Sequence, residues 1–180
     1  MMAGTCIRDA LFFAVLIKVA HCGGNSYSPV DDIEDIAQFY SKSSTIWTLN
    51  TTMGTSNCKV DKVSEASGQY AKFTRNFTSG SRRQVLNLEG IFANNRYAMR
   101  KVPYDVMDVT EKGGSYTSKE RLLHTFDHGN CGIFSVSISW GGRGNNYDLR
   151  VKNGKRHETC YEKFIDDTKR AGLTKITACK

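Results

Sequence analysis

The strongest constraint on the fold is a two-residue rhythm. Phe134, Val136, Ile138 and Trp140 alternate with Ser135, Ser137 and Ser139. One face of this stretch is therefore apolar and the other wetter, the pattern of a half-buried β-strand. Short β-branched and aromatic runs of the same kind, punctuated by turn residues, fill the chain from Thr45 to Val151. They predict strands over Thr45–Met53, Cys58–Val63, Gln69–Thr78, Arg83–Phe92, Tyr97–Val102, Tyr104–Thr110, Tyr116–Phe126, Gly132–Trp140 and Asn146–Val151. Asn94-Asn95, Gly113-Gly114 and Gly141 to Gly144 supply turns. About eight antiparallel strands joined by hairpins make a sandwich or an up-and-down barrel, and closing the barrel removes exposed edges.

The ends of the domain follow a helical period instead. Asp31 to Ser41 places Ile33, Ile36, Ala37 and Tyr40 at helical spacing behind acidic residues, which predicts a short amphipathic helix. Glu158 to Ala171 places Cys160, Tyr161, Phe164, Ile165 and Thr168 on one stripe, with charges on the other side. That stripe predicts a helix packed outside the sheet, ended by Gly172 and followed by an extended segment from Leu173 to Cys179.

With 180 residues, 39% of them hydrophobic, and only two prolines, the chain suits one folded domain better than a disordered or proline-rich linker. Its first two dozen residues have a different use. Arg8 precedes an apolar run from Ala10 to Ala20, broken only by Lys18 and followed by Cys22, Gly23 and Gly24. This is the charged, apolar and small-residue order of a secretory signal peptide, too short to span a bilayer. Residues 1–24 are read as the leader, cleaved near Cys22 to Gly24, and 25–180 as one extracellular domain. Cleavage leaves 23 basic and 17 acidic side chains, and the formal charge of +7 becomes +6. No later apolar segment approaches membrane length, so no membrane insertion is expected.

Cleavage also removes Cys6 and Cys22. Cys58, Cys131, Cys160 and Cys179 remain, and in an oxidising compartment four cysteines suggest two disulfides, with three pairings formally open. Asn50-Thr51-Thr52 and Asn76-Phe77-Thr78 are candidate glycosylation acceptors, which must face water if used. Alternation counted from Asn50 turns Trp47 and Leu49 inward, and counted from Asn76 it turns Ala71, Phe73 and Phe77 inward.

Catalytic machinery is thin. The chain has no zinc-protease helix motif, P-loop or nucleophile elbow, and the mature histidines His124, His128 and His157 sit in no nucleophile arrangement. His124, His128 and Cys131 have zinc-like spacing, but a secreted cysteine usually pairs with another. Asp105, Asp108 and Glu111 mimic an acid–base cluster, a pattern more often produced by a solvated strand. A non-enzyme without metal or cofactor is expected. Nucleic acid is disfavoured, because the basic charge is not interleaved with base-stacking aromatics.

Several features combine into a family pattern: Cys58 in the second strand, Asn130-Cys131 opening a later one, and Tyr147-Asp148-Leu149 in the next. Cys160-Tyr161-Glu162-Lys163-Phe164 then lies in the helix, and Ala178-Cys179 close the chain. Over about Asp31 to Lys180 this order resembles the tick salivary lipocalins, the histamine-binding-protein family. The resemblance implies an eight-stranded barrel with the pairings Cys58–Cys179 and Cys131–Cys160. It also implies secretion in saliva and sequestration of a small host ligand, which modulates inflammation and immunity. The amine-binding members carry Tyr-Glu-Leu-Trp where this chain has Tyr147-Asp148-Leu149-Arg150. Asp148 keeps a shorter acid, while Arg150 sets a charge like that of an amine in place of an aromatic wall, which argues against histamine. If the terminal helix covers Tyr147, Leu149 and Val151, then Asp148 and Arg150 face inward, as an ion pair or an anchor for a polar ligand end.

The remaining expected lining is apolar: Trp47, Leu49, Phe73, Phe77, Leu86, Leu88, Met99, Phe134, Val136, Ile138 and Trp140. Trp47, Phe73, Phe77, Met99, Phe134, Trp140, Asp148 and Arg150 are the candidate ligand contacts. An apolar lining favours a sterol or fatty-acid mediator over an amine, and similar features mark the glycosylated, sterol-binding japanin-like subgroup. The competing reading from a different class is an immune modulator that contacts a host immune-cell surface protein, with the barrel as scaffold.

Overall fold

The computed structural model describes residues 33–79, 81–94, 103–138 and 146–179. The leader, the expected strand Tyr97–Val102, the turn Gly141 to Gly144, Met99 and Trp140 lie outside the described residues. Eight strands run in chain order: β1 Thr45–Thr51, β2 Lys59–Ala66, β3 Tyr70–Ser79, β4 Arg82–Ala93, β5 Val106–Glu111, β6 Thr117–Phe126, β7 Cys131–Ile138 and β8 Asn146–Val151. Each pairs antiparallel with the next, and β1 pairs with both β8 and β2, so the sheet closes on itself. A two-residue strand, β9 (Thr177–Ala178), joins the edge of β1 at Asn50 and Thr51, beyond the point where β2 leaves it.

The N-terminal helix α1 is a single turn, Ile36–Phe39, shorter than its periodicity suggests. Asp35 caps it by accepting from the backbone N–H of Gln38, so Ile33 lies ahead of the helix and is exposed. Ile36, Phe39 and Tyr40 plug one end of the barrel, where Phe39 meets Phe134 edge-on with centroids 5.1 Å apart. Around them pack Val63, Phe73, Leu88, Phe92, Met107 and Leu122, an apolar floor.

The C-terminal helix α2, Glu158–Arg170, begins with His157, whose Nδ1 accepts from the Cys160 N–H. It lies across β6, β7 and β8 and buries Cys160 and Phe164 against Phe126, Ile133, Leu149 and Val151. Cys131 is bonded to Cys160 and Cys58 to Cys179, the pairing the resemblance implies. One bond fixes the helix to β7, and the other ties the tail to the start of β2. On the chain-entropy model, closing such loops stabilises by about 3–5 kcal/mol each.

β1 corrects the expected faces. Ile46 belongs to the interior cluster, whereas Trp47 and Leu49 pack in the outer one with α2. The register shifts between Thr48 and Asn50, which lies opposite Leu149. A bulge adds a residue and breaks the two-residue alternation, so counting back from Asn50 gives the wrong face for Trp47 and Leu49.

Candidate functional site

One inward step above the floor, the barrel changes chemistry. The strands that carry Val63, Phe73 and Leu122 next present Asp61, Arg75 and Glu120 to the same interior, and β8 adds Asp148 and Arg150. Lys59 completes the set. All six are buried, three basic and three acidic, so the layer is neutral as a whole.

The contacts form one continuous belt. Arg75 grips Asp61 with two parallel bonds, Nε to Oδ1 at 2.8 Å and Nη2 to Oδ2 at 2.7 Å. Its Nη1 donates to Glu120 Oε1 at 2.7 Å and to the Tyr116 hydroxyl at 2.9 Å. Arg150 takes the other Glu120 oxygen through Nη1 and donates through Nη2 to Asp148 Oδ2 at 2.7 Å. Tyr40, the residue that caps the C-terminus of α1, accepts from Arg150 and donates to Asp61 Oδ2 at 2.9 Å, so the plug is bonded to the belt. Lys59 Nζ meets Asp148 Oδ2 at 2.8 Å. Arg150 also lies 4.4 Å from the Phe134 ring centroid, where floor and belt touch.

Burial alone raises the Glu120 pKa, but Arg150, Arg75 and Lys59 together pull it well below the ordinary value. Asp148 is likewise pushed up by burial and held below its usual value by Lys59 and Arg150. Burial and the carboxylates of Asp61 and Glu120 push the Tyr40 phenol up against the pull of Arg150, keeping it a hydrogen-bond donor. Two oxygens stand apart from the network: Asp148 Oδ1 and the Thr48 hydroxyl are buried without a hydrogen-bond partner among the described residues.

Above the belt, at the end opposite α1, a cavity of about 210 Å³ opens between β4, the β5–β6 turn and β7. Leu86, Tyr116 and Ile138 form its apolar walls, and Glu111, Ser115 and Thr117 its polar rim. Tyr116 belongs to both layers, with its ring in the cavity wall and its hydroxyl on Arg75.

The sequence candidates divide among these places. Phe73 and Phe134 lie in the floor, Asp148 and Arg150 in the belt, and Phe77 is half-buried on the inward face of β3. Trp47 is outside, against the α2 cluster. Asp148 and Arg150 face inward because Leu149 and Val151 lie under α2, the conditional outcome of the sequence pattern. The expected apolar container is therefore crossed by charge. Lys59, Asp61, Arg75, Glu120 and Tyr40 were not among the candidates, although Arg75 lies between Phe73 and Phe77 on a face already read as inward.

The acidic cluster disperses: Asp105 pairs with Arg121, Asp108 with Lys119, and Glu111 stands at the mouth. The zinc-like spacing dissolves too, since Cys131 is in a disulfide and His124 Nε2 lies 3.4 Å from Asp167 on α2.

A closed antiparallel meander with a plugging turn at one end and a helix laid outside decides the architecture. The fold is that of the lipocalins. Among solved structures the serotonin complex of AM182 superposes with a TM-score of 0.52 at 20% identity, over 79% of this chain and 87% of that one. A dog lipocalin allergen gives 0.55 at 12% identity, over 77% of this chain and 93% of that one. A bovine odorant-binding protein variant gives 0.56 at 9% identity over the same shares, 77% and 93%. No protein-family model and no curated protein matches the chain. Among the described residues no helix is long and apolar enough to cross a membrane.

Proposed function

We propose that the protein is an extracellular carrier that sequesters a compact small molecule at the barrel mouth, withholding a messenger from host inflammatory and immune signalling. The observation that carries this reading is the mouth cavity, with apolar walls from Leu86, Tyr116 and Ile138 and one carboxylate, Glu111, at its edge. Floor and belt occupy the barrel beneath it, so a long sterol or acyl chain finds less room than the sequence pattern suggests. A ligand with an apolar or aromatic body and one hydrogen-bond-donating end matches the lining better. The serotonin bound by the structurally similar AM182 is a ligand of that kind. The saliva setting and the immune role rest on the family resemblance, and the extracellular address on the leader and the two disulfides.

Native mass spectrometry and calorimetry with serotonin and with cholesterol test the reading. We expect a one-to-one serotonin complex, weakened about tenfold by Glu111→Gln through loss of one charged contact. A cholesterol complex that forms instead and ignores Glu111→Gln restores the lipid carrier. Binding of neither, with saturable binding of the intact protein to host immune cells, leaves the barrel as scaffold.

A further inference from the structure

The outer wall around the second sequon carries a feature that the ligand site does not use. Asn76 lies on β3 with Val60 of β2 directly opposite on one side and Val85 of β4 on the other. The inward residues of this strand are Phe73, Arg75 and Phe77, so the row Val60, Asn76, Val85 is on the outside. Val85 is 55% exposed, one of only a few large apolar side chains so exposed among the described residues. At the far end of the same row Val60 adjoins Trp47, which lies in the cluster under α2. The helix crosses β6, β7 and β8, whereas among the described residues β3 is met by the single 3-10 turn Thr55–Asn57, which leaves Val85 on β4 exposed.

The acceptor nitrogen has no partner among the described residues. Asn76 Oδ1 takes a 3.4 Å contact from Arg83 Nη2, while Nδ2, the atom a sugar is joined to, donates to no described residue. Thr78, whose hydroxyl completes the sequon, is exposed. Asn50 is placed differently. It is 9% exposed and sits between Leu149 and Ala178, beside the β9 tail that Cys179 clasps to Cys58. A sugar there has to displace that tail.

We infer that Asn76, and not Asn50, carries an N-linked glycan on the folded protein, and that its first sugars cover the outer apolar row of half-buried Val60 and exposed Val85. The inference rests on the extracellular reading above, since transfer takes place in the secretory pathway. Asn76 Nδ2 bonds to the anomeric carbon of an oligosaccharide, the bond from that carbon to the pyrophosphate of a lipid-linked donor breaks, and the amide proton leaves with the lipid pyrophosphate. The apolar C–H face of a pyranose ring then packs on the valines while its hydroxyls face water.

The test is expression of the full chain in eukaryotic cells with its own leader, and in parallel behind an unrelated secretory leader. Enzymatic deglycosylation in heavy-oxygen water, followed by peptide mass spectrometry, reads the occupied site. We expect label at Asn76 and none at Asn50. Asn76→Gln should remove one glycan and raise the binding of an apolar dye severalfold, and Val85→Thr should reverse that rise. Failure of secretion with the native leader alone overturns the extracellular reading. Unlabelled Asn76 behind the unrelated leader, or label at Asn50 in folded protein, overturns the site. An unchanged dye signal in Asn76→Gln overturns the shielding.

Discussion

Floor and belt are built on the same strands, one inward step apart, yet they obey different rules. In β2, β3 and β6 the pairs Val63 and Asp61, Phe73 and Arg75, and Leu122 and Glu120 lie two residues from each other on one face. Each floor residue is stabilised by whatever apolar surface surrounds it, so any side chain of similar volume serves. Each belt residue is stabilised by particular partners, because an unpaired charge at that depth is expensive. The floor is a sum of local contacts, whereas the belt is one balanced object.

Removing Glu120 breaks that object most severely. It faces both Arg75 and Arg150, so Glu120→Leu leaves two buried guanidinium groups short of a partner and the interior with a net positive charge. We expect a loss of about 3–5 kcal/mol by chemical denaturation, the usual result of breaking a buried pair from one side. Adding Arg75→Met restores neutrality, and the double variant should lie above the sum of the singles by about 0.5–3 kcal/mol. Strict additivity would show the belt to be as local as the floor.

Acid separates the layers without mutation. The Glu120 and Asp148 carboxyls are held below their ordinary values of 4.5 and 3.8, so the unfolded chain binds protons more readily than the folded one. Their contribution is fully present at neutral pH, begins to fall near those unfolded values, and is lost as pH drops through the folded ones. Urea midpoints measured from pH 7 down to pH 2 should trace this fall in the wild type. The Glu120→Leu/Arg75→Met variant should fall less steeply, and a floor variant such as Phe92→Leu should keep the wild-type slope from a lower start.

Overpacking loads the floor directly. A Cβ at Gly132 would stand 2.8 Å from Phe39 Cε2 and 3.0 Å from both Leu122 Cδ1 and Phe134 Cε2. Gly132 is thus the gap through which the plugging turn reaches the barrel wall. Gly132→Ala should cost about 1–3 kcal/mol, read as a lower melting temperature, because Phe39, Leu122 or Phe134 has to shift to admit the methyl group.

What was legible in the sequence follows the same division. Alternation and turn residues place the eight barrel strands, the stripe from Cys160 to Thr168 places α2, and Phe73 and Phe134 are read inward because burial and apolarity agree. The belt was illegible because charge by itself argues for solvent: Lys59, Asp61 and Glu120 look like outward residues until their partners are known, and those lie on other strands. Arg75 is the exception, its position between Phe73 and Phe77 forcing it inward by parity. Trp47 fails for a different reason, since the bulge near Asn50 is a local insertion that no periodic rule detects.

The smallest expected effect comes from the outer wall, where the same chemistry loses its force. Asp108 and Lys119 are cross-strand partners 3.2 Å apart, within ion-pair distance, yet both side chains are half exposed. Water already solvates each charge, and mobile ions screen what attraction is left. Asp108→Asn should therefore shift stability by only about 0–1 kcal/mol, and the shift should vanish in high salt. The loss in Glu120→Leu should persist there, because salt does not reach between β3, β6 and β8. If the two variants responded alike to salt, burial would not be what distinguishes the belt, and the barrel interior would have to be wet down to Glu120.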